Sequence, residues 1–216
     1  MNRPGYLLMY EKLLDYYGPQ GWWPADNPFE MMIGSILVQN TSWRNVEKAF
    51  QRLKPYLEEN VIYDMPVDEL ALLIRSSGFF NIKAKRIKSF MEWYSRYDFD
   101  VDQVRRVEGG RLREELLSIK GIGQETADVM LLYAFQHPVF VVDAYARRIF
   151  YRVGFNMPKT YDAFREKVEG EVPGSLALYN EFHALLVEHA KVHCKAKPIC
   201  EGCPLFTFCD RRLDES

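Results

Sequence analysis

The chain has 216 residues, a formal net charge of -2 and a 48% hydrophobic composition. That length allows one large domain or two small ones with a real core, and the composition excludes a disordered chain. No run of about eighteen apolar residues occurs, which excludes a membrane-spanning helix and makes an intracellular setting the expectation.

Taken in chain order, almost every segment predicts a helix. The opening "MNRPGYLLMYEKLLDYYG" breaks its apolar positions with charges at helical spacing, as an amphipathic helix does and a signal peptide does not. "NPFEMMIGSILVQNTSWRNVEKAFQRLKPYL" places apolar residues three and four apart and is interrupted near "QNTS". "VDELALLIRSSG" starts with an acidic first turn and stops at Gly78, and "NIKAKRIKSFMEWYSRY" follows at once. "GGRLREELLSI" and "QETADVMLLYAF" flank a glycine-bearing loop. "DAYARRIFYRVG", "YDAFREKVEGEV" and "SLALYNEFHALLVEHAKVHC" complete the helices. The one β-like run, "PVFVV" at 138–142, is too short and solitary to build a sheet. The expected fold class is all-α, without internal repeats or long linkers. Basic residues gather at 83–88, at Arg147 and Arg148, and at Lys191, Lys195 and Lys197. Each group, taken alone, reads as solvated surface.

The four cysteines, Cys194, Cys200, Cys203 and Cys209, fall within "CKAKPICEGCPLFTFC", a C-x5-C-x2-C-x5-C spacing. A chain of this size needs no disulfides, and an intracellular setting disfavours them. Four thiolates so close in sequence fit one metal site. Spacing alone leaves a structural zinc and a [4Fe–4S] cluster both open. Pro198 and Pro204 stiffen the loops between ligands.

"LLSIKGIGQETADVML" fits a helix, a tight hairpin and a second helix. Glycine lets the backbone turn and approach a ligand. The N–H groups opening the second helix then suit an anion, and a DNA phosphate is a natural guest, gripped without regard to sequence. Asp143, in "VVDAYARR", follows Gly123 by twenty residues.

With these motifs in view, the chain resembles the helix-hairpin-helix DNA glycosylases of the endonuclease III superfamily. The resemblance covers nearly the whole length: "QNTS", "GFFNIKAKR", the hairpin, the "VVD" aspartate and the cysteines. "WWP" (22–24), "LVQNTSW" (37–43), "GIGQETAD" and "VVDAY" look most like its 3-methyladenine glycosylase branch. The resemblance implies that Cys194, Cys200, Cys203 and Cys209 hold a [4Fe–4S] cluster. Here the first cysteine spacing is one residue shorter than the family's six. It implies a bound partner, double-stranded DNA with a damaged base, with water as the only cosubstrate and the protein acting as a monomer. Bifunctional members place a lysine just before the "TA" of the hairpin, where it attacks the sugar and forms a Schiff base. Here that position is Glu125, which cannot do so. Lys120 precedes the hairpin glycines and is not given the role.

The residue roles follow from the same resemblance. Asp143 is the expected catalytic carboxylate, stabilising positive charge on the sugar; its plain reading is a helix N-cap. Trp22, Trp23, Pro24 and Trp43, with Glu125, are expected to form the base pocket, where flat electron-rich walls suit a cationic purine. Gln39 is expected to fill the space left by the extruded base and Phe79 to wedge into the stack opposite. Gly121, Gly123 and Thr126 of the hairpin, with Lys83, Lys85, Lys195 and Lys197, are expected to contact DNA. The four histidines show no partner pattern.

The implied architecture has two lobes: a helical lobe at 25–136, and a second lobe from 1–24 and 137–216 that carries the cluster. The DNA cleft, hairpin and Asp143 are expected between them. The expected activity is monofunctional excision of alkylated purines such as 3-methyladenine. Excision of oxidised pyrimidines or mismatched bases, or DNA binding without chemistry, are the alternatives.

Overall fold

A computed structural model describes residues 5–21, 25 and 27–213. Among the described residues every regular element is helical, so the all-α expectation holds. The helices divide into two compact units, and the division in the chain falls between His137 and Pro138.

The contiguous unit, ending at His137, is built around α2 (Pro28–Leu37). Asn27 caps this helix by accepting the Glu30 N–H at 2.8 Å, and Pro28 supplies a first-turn residue that needs no donor. From Phe29 to Leu37 only Glu30 is not buried, because other helices surround it. The chain breaks at 38–42, as the "QNTS" signal predicts, and resumes in α3 (Trp43–Leu53). Two short helices follow, α4 (Glu59–Asp64) and α5 (Val67–Leu73), and then α6 (Phe80–Tyr94), α7 (Val101–Arg105) and α8 (Gly109–Ser118). After the hairpin, α9 (Gln124–Val129) runs into a π-helical turn at Met130–Ala134 that is buried throughout. The buried Asp128 pairs with Arg113 through two contacts, 2.7 Å and 3.3 Å, locking α9 against α8.

The other unit joins α1 (Tyr6–Tyr17) to α10 (Ala144–Val153), α11 (Tyr161–Glu169) and α12 (Leu176–Val192). Its core is aromatic: Tyr6, Phe140, Phe155, Phe164 and Phe182 all meet Phe150 within 6.3 Å between ring centroids. The segment 138–142 forms no strand. Its buried N–H donors go instead to side chains, Phe140 to Glu169 at 2.8 Å and Val142 to the Tyr161 hydroxyl at 3.2 Å.

Candidate functional site

The hairpin connects α8 to α9 through Ile119–Gly123, with Ile119 and Ile122 buried as its anchors. Gly121 sits at φ +95, and a Cβ there would lie 2.3 Å from Arg86 Cγ, so both backbone and space require glycine. Gly123 precedes α9 with open space around it. Glu125 follows in the first turn of α9 and is exposed.

Gln39 is tied into this loop. Its side-chain amide donates to Gly121 O at 3.2 Å and to Thr126 Oγ1 at 2.9 Å. Arg86 Nη1 donates to the amide oxygen. Thr126 is buried, so its hydroxyl serves this network.

Phe79 precedes α6 at φ +46, a left-handed conformation that bulky side chains rarely adopt. Its ring is 66% exposed. A strained backbone that presents a large apolar ring to solvent is a feature of functional segments rather than of packing. Lys85, between the buried Ala84 and Ile87 of the same helix, is exposed.

Lys83 corrects the sequence reading. It is 1% exposed, with its ammonium donating to Leu37 O at 2.8 Å and Ser77 O at 2.6 Å. Burial lowers its pKa to about 8, with the Arg86 charge adding to the effect. It holds the end of α2 beside the approach to α6 and cannot reach a phosphate.

Trp43, at the start of α3, is half-buried, with its ring edge against Gly34 of α2: a Cβ there would sit 3.7 Å from Trp43 Cη2. Trp22, Trp23 and Pro24 lie outside the described residues.

Asp143 is the N-cap of α10, accepting the Ala146 N–H on Oδ1 at 2.7 Å. The plain reading of this residue as a cap is therefore correct as far as it goes. Its second oxygen, Oδ2, lies 3.5 Å from Nε2 of His183 on α12, both side chains being nearly buried. His183 is a residue that sequence reasoning missed. The one available signal was its place on the buried face of α12, beside Tyr179, Phe182 and Leu186.

All four cysteines, none of them in a disulfide, line one cavity with Ile149, Val153, His189 and Leu205. Burial first, and then the neighbouring sulfurs, push the Cys203 and Cys209 thiols up. The thiols stand around the cavity wall: among the described residues no three His, Cys, Asp or Glu side chains gather as the shell of a single ion. Tyr17 meets His189 Nδ1 at 2.9 Å, and His189 Nε2 lies 3.9 Å from Cys203 Sγ. Arg148 and Arg152, one turn apart on α10, carry the loop between the first two cysteines. Arg148 donates to Cys194 O, and Arg152 to Lys195 O, Ala196 O and, at 3.6 Å, Cys194 Sγ. Lys195 and Lys197 are left exposed on that loop. Nothing in the sequence separated these two supporting arginines from solvated ones.

Residues 33–173 match the model of the HhH-GPD superfamily base excision DNA repair protein. The chain is 46% identical over 206 residues to the Methanocaldococcus jannaschii protein named, provisionally, DNA repair glycosylase MJ1434, covering 93% of this chain and 94% of that one. It is 32% identical to endonuclease III of Sulfolobus acidocaldarius, over 87% of this chain and 84% of the relative. Among solved structures it superposes on the H. pylori 3-methyladenine DNA glycosylase bound to 1,N6-ethenoadenine with a TM-score of 0.73 and 31% identity, covering 87% of this chain and 98% of that one.

Proposed function

This chain belongs to the HhH-GPD superfamily of base excision DNA repair proteins and is a DNA glycosylase; within that superfamily we propose that it is a monofunctional enzyme, hydrolysing the N-glycosidic bond of alkylated purines such as 3-methyladenine in duplex DNA. The observation that carries the reading is Glu125, exposed in the first turn of α9 immediately behind the hairpin. A carboxylate there cannot form the Schiff base that strand cleavage requires, so water is the nucleophile. The likeness to a structure named as a 3-methyladenine glycosylase supports the substrate class.

Each step needs only a few groups. Backbone N–H groups at Gly121, Gly123 and Thr126, with exposed Lys85, Lys195 and Lys197, grip phosphates without reading sequence. The base is flipped from the stack, while the exposed Phe79 ring wedges into the duplex it leaves; Gln39, bonded to Gly121, Thr126 and Arg86, holds the hairpin instead of filling that space. A base alkylated on a ring nitrogen is cationic while attached to the sugar. When the C1′–N bond breaks, the electron pair departs with the base, which leaves neutral. The positive charge remaining on the sugar is stabilised by the Asp143 carboxylate. Water then adds to C1′ and gives up its proton, for which Asp143 is the nearby acceptor. Trp43, half-buried at the start of α3, supplies a flat wall for the base. Cation–π attraction of roughly 0.5–2 kcal/mol favours the lesion over adenine only modestly. Most of the selectivity therefore comes from the weakened bond.

Cys194, Cys200, Cys203 and Cys209 fit a [4Fe–4S] cluster. The cluster takes one thiolate at each of four irons, and four unbridged thiols surround one cavity here. When bound it anchors the loop bearing Lys195 and Lys197 and takes no part in the hydrolysis.

The test is a panel of methylated, thymine-glycol and G·T-mismatched duplexes scored for free base. Release of methylpurine is the expected result. No methylpurine, with good processing of thymine glycol, replaces this reading with an endonuclease III-like specificity.

A further inference from the structure

The contact between Asp143 and His183 has no part in the scheme above. We infer that His183 is a positioning residue for Asp143, fixing the plane of the carboxylate that faces the sugar. The inference rests on the reading of Asp143 as the charge that stabilises the transition state, and it deepens that reading.

A capping bond by itself holds one carboxylate oxygen and leaves the tilt of the whole carboxylate plane loosely restrained. In this site each oxygen has a partner. Oδ1 accepts the Ala146 N–H at 2.7 Å, and Oδ2 faces His183 Nε2 at 3.5 Å. The first partner belongs to α10 and the second to α12, two helices packed together in the same unit. His183 is buried, so its ring nitrogens need partners inside the protein, and the carboxylate is the partner on the Nε2 side. Each carboxylate oxygen still has a second lone pair, which leaves Asp143 able to face an oxocarbenium ion or a water molecule. A contact of 3.5 Å is at the long end of hydrogen bonding, and such contacts at catalytic groups commonly tighten when substrate binds. Asp143 needs this because hydrolysis without a lysine nucleophile depends on where its charge points. Misplacement of a catalytic group by about 1 Å can cost roughly 100-fold in rate.

The test uses the full chain with His183→Phe, which keeps a ring of similar size and removes the N–H, and His183→Gln, which restores a donor. Single-turnover release of methylpurine at saturating enzyme is measured beside duplex affinity and thermal melting. His183→Phe is expected to slow release by about 10- to 100-fold with duplex affinity unchanged, and His183→Gln to recover most of the rate. In an Asp143→Asn background, His183→Phe is expected to cause no further loss, because its effect passes through the carboxylate. A folded His183→Phe at wild-type rate, with Asp143→Asn inactive, overturns the positioning role alone. So does an equal loss from His183→Phe in both backgrounds. Near wild-type release by Asp143→Asn overturns the catalytic reading of Asp143 and this inference with it. Should His183→Phe not fold, His183→Gln and His183→Ala decide: near wild-type release by His183→Gln with a loss of about 10- to 100-fold in folded His183→Ala supports the role, and inactivity of folded His183→Gln, or near wild-type release by His183→Ala, overturns it.

Discussion

Gln39 and Thr126, 87 positions apart in the chain, share a hydrogen bond in which the glutamine side-chain amide donates to the threonine hydroxyl at 2.9 Å. The same amide donates to Gly121 O and accepts from Arg86. The hairpin is thus held from outside by one side chain whose donors and acceptor are all in use. Gln39→Leu removes these bonds and leaves the buried Thr126 hydroxyl without this donor. We expect a loss of about 1–3 kcal/mol in unfolding free energy, read by denaturant titration, and faster amide exchange confined to the hairpin. Unchanged exchange at Gly121 and Ile122 would contradict the arrangement.

The proposed monofunctional reading rests on Glu125, which cannot form a Schiff base. Borohydride treatment during turnover on a methylated duplex is expected to trap no covalent protein–DNA adduct. Glu125→Lys is expected to introduce one. A strong adduct in the unaltered protein that disappears in Lys120→Ala would move the nucleophile to Lys120.

Asp143→Asn separates the cap from the charge. The amide oxygen can still accept the Ala146 N–H, so α10 and the melting temperature are preserved. Base release is expected to fall about 100- to 1,000-fold as the electrostatic stabilisation is lost, with duplex affinity retained. Release near the wild-type rate would reduce Asp143 to a helix cap.

The cysteines make a prediction that needs no substrate. The purified protein is expected to be brown, to absorb at ~400 nm and to contain about four irons per chain. Cys203→Ser is expected to lose colour and stability together, since the cavity it lines is then left without its fourth thiolate. A colourless protein carrying one zinc would reverse the assignment.

Lys83 makes stability depend on pH in an unusual direction. Its folded pKa, about 8, is below the ordinary lysine value of 10.5. Between those values the unfolded chain binds more protons than the folded one, so this group's contribution to stability rises with pH across that window. Below pH 8 the buried charge is a full liability, offset by its bonds to two carbonyls. The neutral amine keeps N–H donors for both. The stability of the unaltered protein relative to Lys83→Met is therefore expected to climb from pH 8 to pH 10, followed by denaturant titration at each pH. A flat difference would place the pKa of Lys83 near its ordinary value.

The long helices and the break at "QNTS" were legible because each shows either an unambiguous period or a turn signal. Two of the short helices, α4 and α7, were not, since six and five residues with no flanking turn signal are too few to display a period. The π-helical turn was also hidden, because "MLLYA" carries no signal that separates it from ordinary helix. Lys83 failed for a different reason. The buried face of α6 runs Ala84, Ile87, Phe90, Met91 and Tyr94, and Lys83 is on that face while Ile82 is exposed. Residue type pointed outward and helical phase pointed inward, and two backbone carbonyls decided for phase. In the candidate site, Asp143 and the cysteines announced themselves by motif. His183 did not, because its meaning lies in a contact made across 40 residues of chain.

The unit that holds Asp143 and the cysteines is assembled from both ends of the chain. Tyr17, on α1, finds its hydrogen-bond partner His189 172 positions later. During synthesis α1 therefore waits for α10, whose Phe150 meets Tyr6, and then for α12, before its packing is complete. The contiguous unit ending at His137 has its whole sequence available much earlier. Domains generally fold as units in the order they are synthesised, so the hairpin can be in place while the Asp143 unit is still incomplete. A premature stop between His137 and α12 leaves a chain that retains the hairpin but lacks the completed unit around Asp143. Quality control, not catalysis, then decides what becomes of it.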